Sequence, residues 1–477
     1  MAQTAQLRGF TEPHSEAQSI FLAQREAYLR QPFIDYAERI ANLDKLEALF
    51  TDNTDAIAAA IAKDFGHRSA VETKLLEIFG VLSGIRDTRR NLKRWMKPQR
   101  RHVSILFASG KNRLVPQPKG IVGIIVPWNY PVFLLGGPLT SALAAGNRCM
   151  IKMAANSRNL CALLHDLFSK TFAQDLITIV PNVKGNDFAA LPFDHLIFTG
   201  SADTGRTVMQ SAAENLCPVT LELGGKSPAI IGDDYDLKEA AARLLYTKFI
   251  NAGQTCVAPD YVFVPELKID AFVESSRALV GARYADINGT DYTSVIDERS
   301  YRRLRETLDD AVAKGARAIK LVDGDFNDEL RKFPPHLLLN VSDDMRVMQE
   351  EIFGPLLPIK AYRNLDETID FINRRDRPLG LYLFSNMAAV QEKVLYNTLS
   401  GGVTINHCVF HAIQHDMPFG GVGPSGMGHY HGYEGFVEFS KLRPVFTYPK
   451  FGKPDLFYPP YTRMHDLLFT LVNKLKL

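Results

Sequence analysis

The 477-residue chain has no uninterrupted apolar run of the roughly 18 residues needed to cross a bilayer. Its longest apolar tract, from Ile121 to Gly146, is broken by Pro127, Asn129, Pro131 and Pro138. The N-terminal stretch Met-Ala-Gln-Thr-Ala-Gln-Leu-Arg-Gly carries no hydrophobic signal core, so a cytoplasmic location is expected. Cysteine is sparse as well: Cys149, Cys161, Cys217, Cys256 and Cys408 are odd in number, widely spaced and without a Cys-x-x-Cys pair. That argues against a disulfide framework or a zinc site, and no metal is expected. An excess of one charge is also missing. The net charge of +2 gives no general reason to expect a nucleic-acid partner. Repeats and low-complexity segments are absent, and so is a Gly-x-Gly-x-x-Gly fingerprint behind a strand. Its one formal occurrence, Gly421–Gly426, follows no buried strand and is interrupted by Pro424.

What is present is ordinary globular composition, 46% hydrophobic and 23% charged, over a length that suits two or three domains. Residues 15–97 read as helices, with Leu43, Leu46, Leu49 and Phe50, and later Leu75, Leu76, Phe79 and Leu82, at helical spacing. A basic cluster from Arg86 to Arg101 reads as a solvated or subunit-facing helix side. Val103–Phe107 and Asn112–Val115 resemble short strands. From residue 120 strands and helices alternate: strands at Ile121–Val126, Cys149–Met153, Ile177–Val180, His195–Phe198 and Val219–Glu222, helices between them. That alternation implies a doubly wound, Rossmann-like parallel sheet with ligands at the carboxyl ends of its strands. A second α/β series follows Gly225, with strands at Pro228–Ile231, Tyr261–Val264 and Ala318–Leu321. The expected division is a dinucleotide-binding domain (15–100 and 120–223), a catalytic domain (224–402), a small β extension for oligomerisation or bridging (101–119 and 403–450), and a tail (451–477). The tail ends in an apolar-basic run too short to cross a membrane, suited to peripheral membrane contact or to packing on a partner subunit.

The stretch that draws attention is Asn251-Ala-Gly-Gln-Thr-Cys256, a lone cysteine at the end of a small, polar loop. Thirty-four residues upstream, Glu222 stands among apolar residues and glycines in Leu221-Glu-Leu-Gly-Gly225. A carboxylate in such surroundings has a raised pKa, which suits a general base near neutral pH. In Pro127-Trp-Asn-Tyr-Pro131 two prolines fix a strand end, so that Asn129 either donates to an oxyanion or caps the next helix. In Phe198-Thr-Gly-Ser-Ala-Asp-Thr-Gly205 a strand, a glycine turn and a helix start meet, and backbone N–H groups there suit a pyrophosphate, though the Gly200-x-x-x-x-Gly205 spacing alone is a weak signal. Glu350 and Glu351 read either as a ribose-binding pair or as a solvated helix start. His407, His411 and His415 recur every four residues, but a strand before them and a glycine-rich loop after them leave no room for a metal-binding helix. Separate loop or pocket histidines are expected, and the same holds for His429 and His431.

Taken together, Pro127-Trp-Asn129, Phe198–Ser201, Leu221–Pro228, Gly253–Cys256, Glu350–Pro355 and Pro418–Gly421 resemble the aldehyde dehydrogenase superfamily in order and spacing, over nearly the whole chain. Gly426–Phe436 and Tyr458-Pro-Pro460 are similar to its class 3 branch, and bacterial coniferyl aldehyde dehydrogenases look nearest within it. The resemblance implies NAD- or NADP-dependent oxidation of an aldehyde. Cys256 would be the nucleophile, Asn129 and the Cys256 N–H the oxyanion donors, and Glu222 the base that activates water. It further implies Lys152 at the adenosine ribose, Ser201 and Trp128 at the pyrophosphate, Glu351 at the nicotinamide ribose, Phe353 beside the nicotinamide, and a homodimer. One departure stands out: the family usually reads Lys-Pro-Ser/Ala-Glu where this chain has Lys152-Met-Ala-Ala155. Losing two charge-assisted bonds to the ribose weakens NAD by roughly 1–3 kcal/mol, and losing the carboxylate removes repulsion toward a 2′-phosphate. Tolerance of NADP is therefore expected. The competing readings are a coenzyme A-acylating dehydrogenase, which would not need Glu222, and a non-catalytic binding or structural protein on the same fold. Tyr130–Leu135 and Val409-Phe410 are compatible with either a ring or an alkyl chain on the aldehyde.

Overall fold

The computed structural model describes residues 15–104, 107, 109–448 and 458–475. Two strands, β1 (Gln99–Arg101) and β2 (Lys111–Pro118), precede the alternating region. That region runs through β3 (Ile121–Val126), β4 (Arg148–Met153), β5 (Ile177–Ile179), β6 (His195–Thr199) and β7 (Val219–Glu222). The second series holds β8 (Pro228–Ile231), β9 (Tyr261–Pro265), β10 (Arg317–Lys320), β11 (His336–Leu339), β12 (Leu356–Tyr362), β13 (Gly380–Phe384) and β14 (Gly402–Ile405). Two more, β15 (Gly426–Met427) and β16 (Ser440–Thr447), follow.

Three sheets result. The first has the order β15-β7-β6-β3-β4-β5, parallel except for β15. The second has the order β10-β11-β12-β9-β8-β13-β14, parallel except for β10 against β11. The third is the antiparallel ribbon β1-β2-β16. All six residues of β3 are buried, because helices cover both faces of a parallel sheet and leave no solvated side for polar residues. Each buried Val or Ile contributes roughly 1.5–3 kcal/mol. The helix Pro131–Ala145 behind β3 starts with proline at its first position, where the missing N–H costs nothing, and stops at Gly146 in the left-handed region.

Segment 403–450 contributes to all three sheets, through most of β14 and the whole of β15 and β16. The strand expected at Val103–Phe107 lies elsewhere. Residues 103–104 are not in a strand, 105 and 106 lie outside the described residues, and pairing with β2 instead selects Gln99–Arg101. The helical layer comprises Glu16–Arg30, Tyr36–Asp52, Thr54–Phe65 and a long helix from Ala70 to Trp95 with a π-type turn over Thr73–Ile78. In the tail, the helix Arg463–Leu475 exposes Leu467, Phe469 and Leu471. Among the described residues no helix is long and apolar enough to cross a membrane.

Candidate active site

In the first sheet the chain winds outward from β3 through β4 to β5, then returns to lay β6 on the other side of β3. A crevice opens where winding reverses, at the carboxyl ends of β3 and β6. Those ends continue into Pro127–Pro131 and Gly200–Ser201. Ser201 caps the helix Ala202–Ala213, its side chain accepting the Thr204 N–H, and leaves first-turn backbone N–H groups directed at the crevice. Asn129 does not cap the helix after it, whose cap residue is Tyr130. Its Nδ2 instead donates to the Gln254 carbonyl at 3.3 Å, which ties it to the Cys256 loop.

That loop follows the helix Leu237–Phe249. Asn251 (φ 50°, ψ 31°) and Ala252 (φ 51°, ψ 34°) are left-handed, and Gly253 follows at φ +75°. Two successive non-glycine residues in this region are strained, and the surroundings must hold them there. Asn251 Nδ2 donates to the Asn129 and Gln254 carbonyls at 3.0 and 3.1 Å. Gln254 Nε2 donates to the Asn251 and Ser294 carbonyls at 2.9 and 3.1 Å, while its Oε1 accepts the Ile296 N–H at 2.9 Å. Gly253 is needed for space as well: a Cβ there would sit 2.4 Å from the Gly354 carbonyl oxygen. The reversal aims Cys256 back at the carboxyl end of β7, where Glu222 lies.

Two cavities meet at Cys256. One, of about 660 Å³, is lined by Trp128, Asn129, Gly200, Ser201, Glu222, Cys256, Glu351 and Phe353, with Thr199, Asp203, Leu223, Gly224, Arg299, Ser300 and Arg303 among the others. The second, of about 340 Å³, is largely apolar: Leu75, Leu76, Phe79, Tyr130, Phe133, Leu134, Ile250, Val257, Val409, Ile413 and Phe419 line it. Cys256 is the one residue that lines both. Eight of the ten residues given a site role in the sequence thus converge on one cavity, and Glu350 lines it as well. Lys152 and Gly205 are not among its lining residues. Lys152 Nζ donates to the Met153 carbonyl at 3.0 Å, and Gly205 is buried in the first turn of its helix against Leu223.

The larger cavity is electrostatically unusual. Glu222 is buried, neither carboxylate oxygen has a hydrogen-bond partner, and burial, then the Glu438 charge, hold its carboxyl well above the usual range. The Glu351 carboxyl is pushed up to about 8 by burial and then by Asp260, although it accepts the Gly225 N–H at 3.2 Å. Gly224 makes room for it, since a Cβ there would lie 2.1 Å from Glu351 Oε2. Glu350, in contrast, is exposed. The Cys256 thiol is pushed up to about 12 by burial and by the Glu351 and Glu222 charges, with its own and the Val257 N–H pulling the other way. Trp128 meets Phe353 edge to face at 5.4 Å between ring centres. A strained loop thus presents a thiol to an unpartnered, proton-hungry carboxylate at the meeting of an apolar tunnel and a polar crevice.

The profile described as "Aldehyde dehydrogenase family" matches residues 12–445. The chain belongs to the aldehyde dehydrogenase family. This aldehyde dehydrogenase is 48% identical over 464 residues to a "Probable coniferyl aldehyde dehydrogenase" of Pseudomonas aeruginosa, covering 97% of each chain. It is 43% identical to a "Coniferyl aldehyde dehydrogenase" of a Pseudomonas species, covering 94% of this chain and 95% of the other. Among solved structures, the "Substrate bound state of Staphylococcus Aureus AldH" superposes with a TM-score of 0.91 at 34% identity, covering 96% of this aldehyde dehydrogenase and all of that chain.

Sequence reasoning missed several residues of the aldehyde dehydrogenase site. Arg299, Ser300 and Arg303 reach the larger cavity from the helix Glu298–Ala313, which reads in sequence only as an amphipathic helix. Leu75 and Phe79 fall on a helical stripe that would ordinarily face a core, yet each is 61% exposed at the tunnel mouth. A large apolar side chain left in water beside a cavity marks an entrance, and only structure shows the exposure. The histidines stand apart: His411 bonds Thr404 Oγ1 at 2.8 Å, His407 stacks on Phe410, and His415 lines the tunnel. Among the described residues no group of three or more His, Cys, Asp or Glu side chains is arranged to hold a metal. Gly421–Gly426 forms a tight turn that sets β15 beside β7, outside the larger cavity.

Proposed function

We propose that this aldehyde dehydrogenase oxidises a hydrophobic aldehyde, either aromatic of the coniferyl type or medium- to long-chain aliphatic, to its carboxylic acid with NAD or NADP. The observation that carries this reading is the position of Cys256, shared by an apolar tunnel suited to the aldehyde and a polar crevice suited to a dinucleotide. The residues present fit such a cofactor: a helix N-terminus with a Ser201 cap for the pyrophosphate, a carboxyl at Glu351 for a ribose, and the Trp128–Phe353 edge for a planar ring. Bound there, the cofactor supplies a hydride acceptor and a positive ring beside two carboxyls and a thiol.

The chain's own part follows from its geometry. Cys256 Sγ attacks the aldehyde carbon as the thiolate, its proton having left to solvent through the crevice. The alkoxide formed lies between the Cys256 N–H and the Asn129 amide, which has a second N–H beyond the one given to Gln254. After oxidation a thioester remains on Cys256, and Glu222 in its ionised form draws a proton from water for hydrolysis. Glu222 lining the same cavity as Cys256 supports hydrolysis over transfer to coenzyme A, which needs no water-activating base. Together with Cys256 and Asn129 it speaks against a non-catalytic role.

At the adenosine end, Lys152-Met-Ala-Ala155 offers no carboxyl to ribose hydroxyls, which supports use of NADP as well as NAD. The names of the Pseudomonas relatives support a coniferyl-type substrate. The exposed Phe446 and Tyr448 at the end of the β1-β2-β16 ribbon support a dimer contact there. The test is a purified-protein assay that follows NADH or NADPH absorbance with a coniferyl-type and a long-chain aldehyde. A signal that Cys256→Ala abolishes is expected; activity surviving in that variant would sink the nucleophile assignment.

A further inference from the structure

Beneath the site, and lining neither cavity, lies a cluster of charge: Arg68 and Glu77, both buried, and the half-buried Glu72. The long helix that carries the two glutamates makes its π-type turn over Thr73–Ile78. In a regular α-helix, positions five apart point about 140° away from each other. The wider turn closes much of that angle, so that Glu72 and Glu77 both face the active-site loops, and such turns recur at functional sites.

Glu77 Oε2 accepts the Val132 and Phe133 N–H groups at 2.7 and 3.3 Å, capping the helix that follows the Asn129 turn. Its other oxygen pairs with Arg68 at 2.7 Å, both side chains fully buried. Arg68 Nη1 also donates to the Asn129 carbonyl at 2.9 Å, the same oxygen that accepts Asn251 Nδ2. The Arg68 guanidinium lies over the Tyr130 ring, whose hydroxyl is 3.0 Å from Thr255 Oγ1, next to Cys256. Glu72 accepts the Asn251 N–H with both oxygens, at 3.3 and 3.2 Å, at the first of the two strained left-handed residues.

We propose that Arg68, Glu72 and Glu77 are positioning residues for acyl transfer, clamping the Asn129 turn and the Asn251–Cys256 loop to each other. The inference rests on the reading of Asn129 as oxyanion donor and Cys256 as nucleophile. Strained backbone persists only where its surroundings over-determine it. Glu72 supplies that constraint from one side and Arg68, through Asn129, from the other. Loosening either lets the amide and the thiol drift apart, with no direct loss at the cofactor crevice.

The test compares full-length Glu72→Gln, Glu77→Gln, Arg68→Lys and Cys256→Ala. Turnover of aldehyde, hydrolysis of p-nitrophenyl acetate (which needs the thiol and the oxyanion donor but no hydride acceptor) and cofactor dissociation constants are measured on each. In the three clamp variants both rates should fall together by about 10–100-fold, the scale of a sub-ångström to ångström misplacement, with cofactor binding changed by less than about twofold. Should Arg68→Lys fail to fold, the near-isosteric Glu72→Gln, at a partly exposed position, carries the comparison. Folded Glu72→Gln with wild-type rates overturns the proposal, and so does a loss of rate matched by an equal loss of cofactor affinity, the mark of general loosening. Failure of the underlying reading shows separately, as activity retained in Cys256→Ala.

Discussion

Gly253→Ala perturbs the active-site loop at the point where it has least room. An added Cβ would lie 2.4 Å from the Gly354 carbonyl oxygen, 2.6 Å from the Gly354 carbonyl carbon and 3.1 Å from the Lys248 carbonyl oxygen. All three are backbone atoms, so no side-chain rotation relieves the clash. The left-handed backbone costs an alanine roughly 1–2 kcal/mol, and overpacking a tight site costs about 1–3 kcal/mol more. The expected loss of stability is therefore about 2–5 kcal/mol. The chain relieves it by shifting a loop that ends three residues later at Cys256, and a displacement near 1 Å lowers turnover by about a hundredfold. Gly315→Ala is the control: it shares a positive φ, of 99°, but has nothing within 4 Å of the added carbon. It should lose only the backbone contribution and keep its turnover. Urea unfolding followed by steady-state kinetics reads both effects. Wild-type stability and turnover in Gly253→Ala would refute the reasoning.

Glu222→Gln should show one rapid release of NADH or NADPH per active site and then slow turnover, because hydrolysis lacks its base; rapid-mixing absorbance reads it. A base acts only when ionised, and the Glu222 carboxyl is held high by burial, so wild-type turnover should climb with pH through a limb above the ordinary carboxylate range, and that limb should vanish in Glu222→Gln. The same shift acts on stability. The folded state binds this proton more tightly than the unfolded chain does, so the native form loses stability as pH rises above about 4.5. Glu222→Gln should accordingly melt higher than wild type at pH 7, with the gain fading near pH 4 by thermal unfolding. Asn129→Ala should lower turnover by about 10²–10³-fold, the usual effect of losing one oxyanion donor, with cofactor binding unchanged. Ala155→Glu, at an exposed position after β4, should strengthen NAD and weaken NADP in fluorescence titrations; no change in the ratio would remove Ala155 from cofactor choice.

The five parallel strands of the first sheet were legible to within a residue because a parallel strand buried on both faces is a near-continuous apolar run, as Ile121–Val126 is, with prolines and glycines at its ends, whereas the two-residue β15 inside a glycine-rich loop was not. The second sheet was less so. His336–Leu339 begins on a histidine, and Leu356–Tyr362 contains Pro358 and Lys360, so each becomes a strand only through neighbours distant in sequence. Cys256, Glu222 and Asn129 stood out because each breaks its local pattern. Glu72 and Glu77 did not: charged residues spaced along a helix read as its solvated side, and their inward turn depends on the π-type bulge, while Arg68 sits in the short connection before that helix, where an arginine carries no signal of burial. The choice between Asn129 as helix cap and as amide donor was open in the sequence, and the bond to the Gln254 carbonyl decides against the cap.

The central claim, that Cys256 carries the acyl group between tunnel and crevice, is tested most directly by mass spectrometry. Glu222→Gln enzyme is mixed with a coniferyl-type aldehyde and cofactor, quenched in acid and digested. The account predicts one modified peptide, with Cys256 heavier by the mass of the aldehyde less two hydrogens. An adduct on Cys149, Cys161, Cys217 or Cys408, or reduced cofactor formed with no adduct at all, would contradict it.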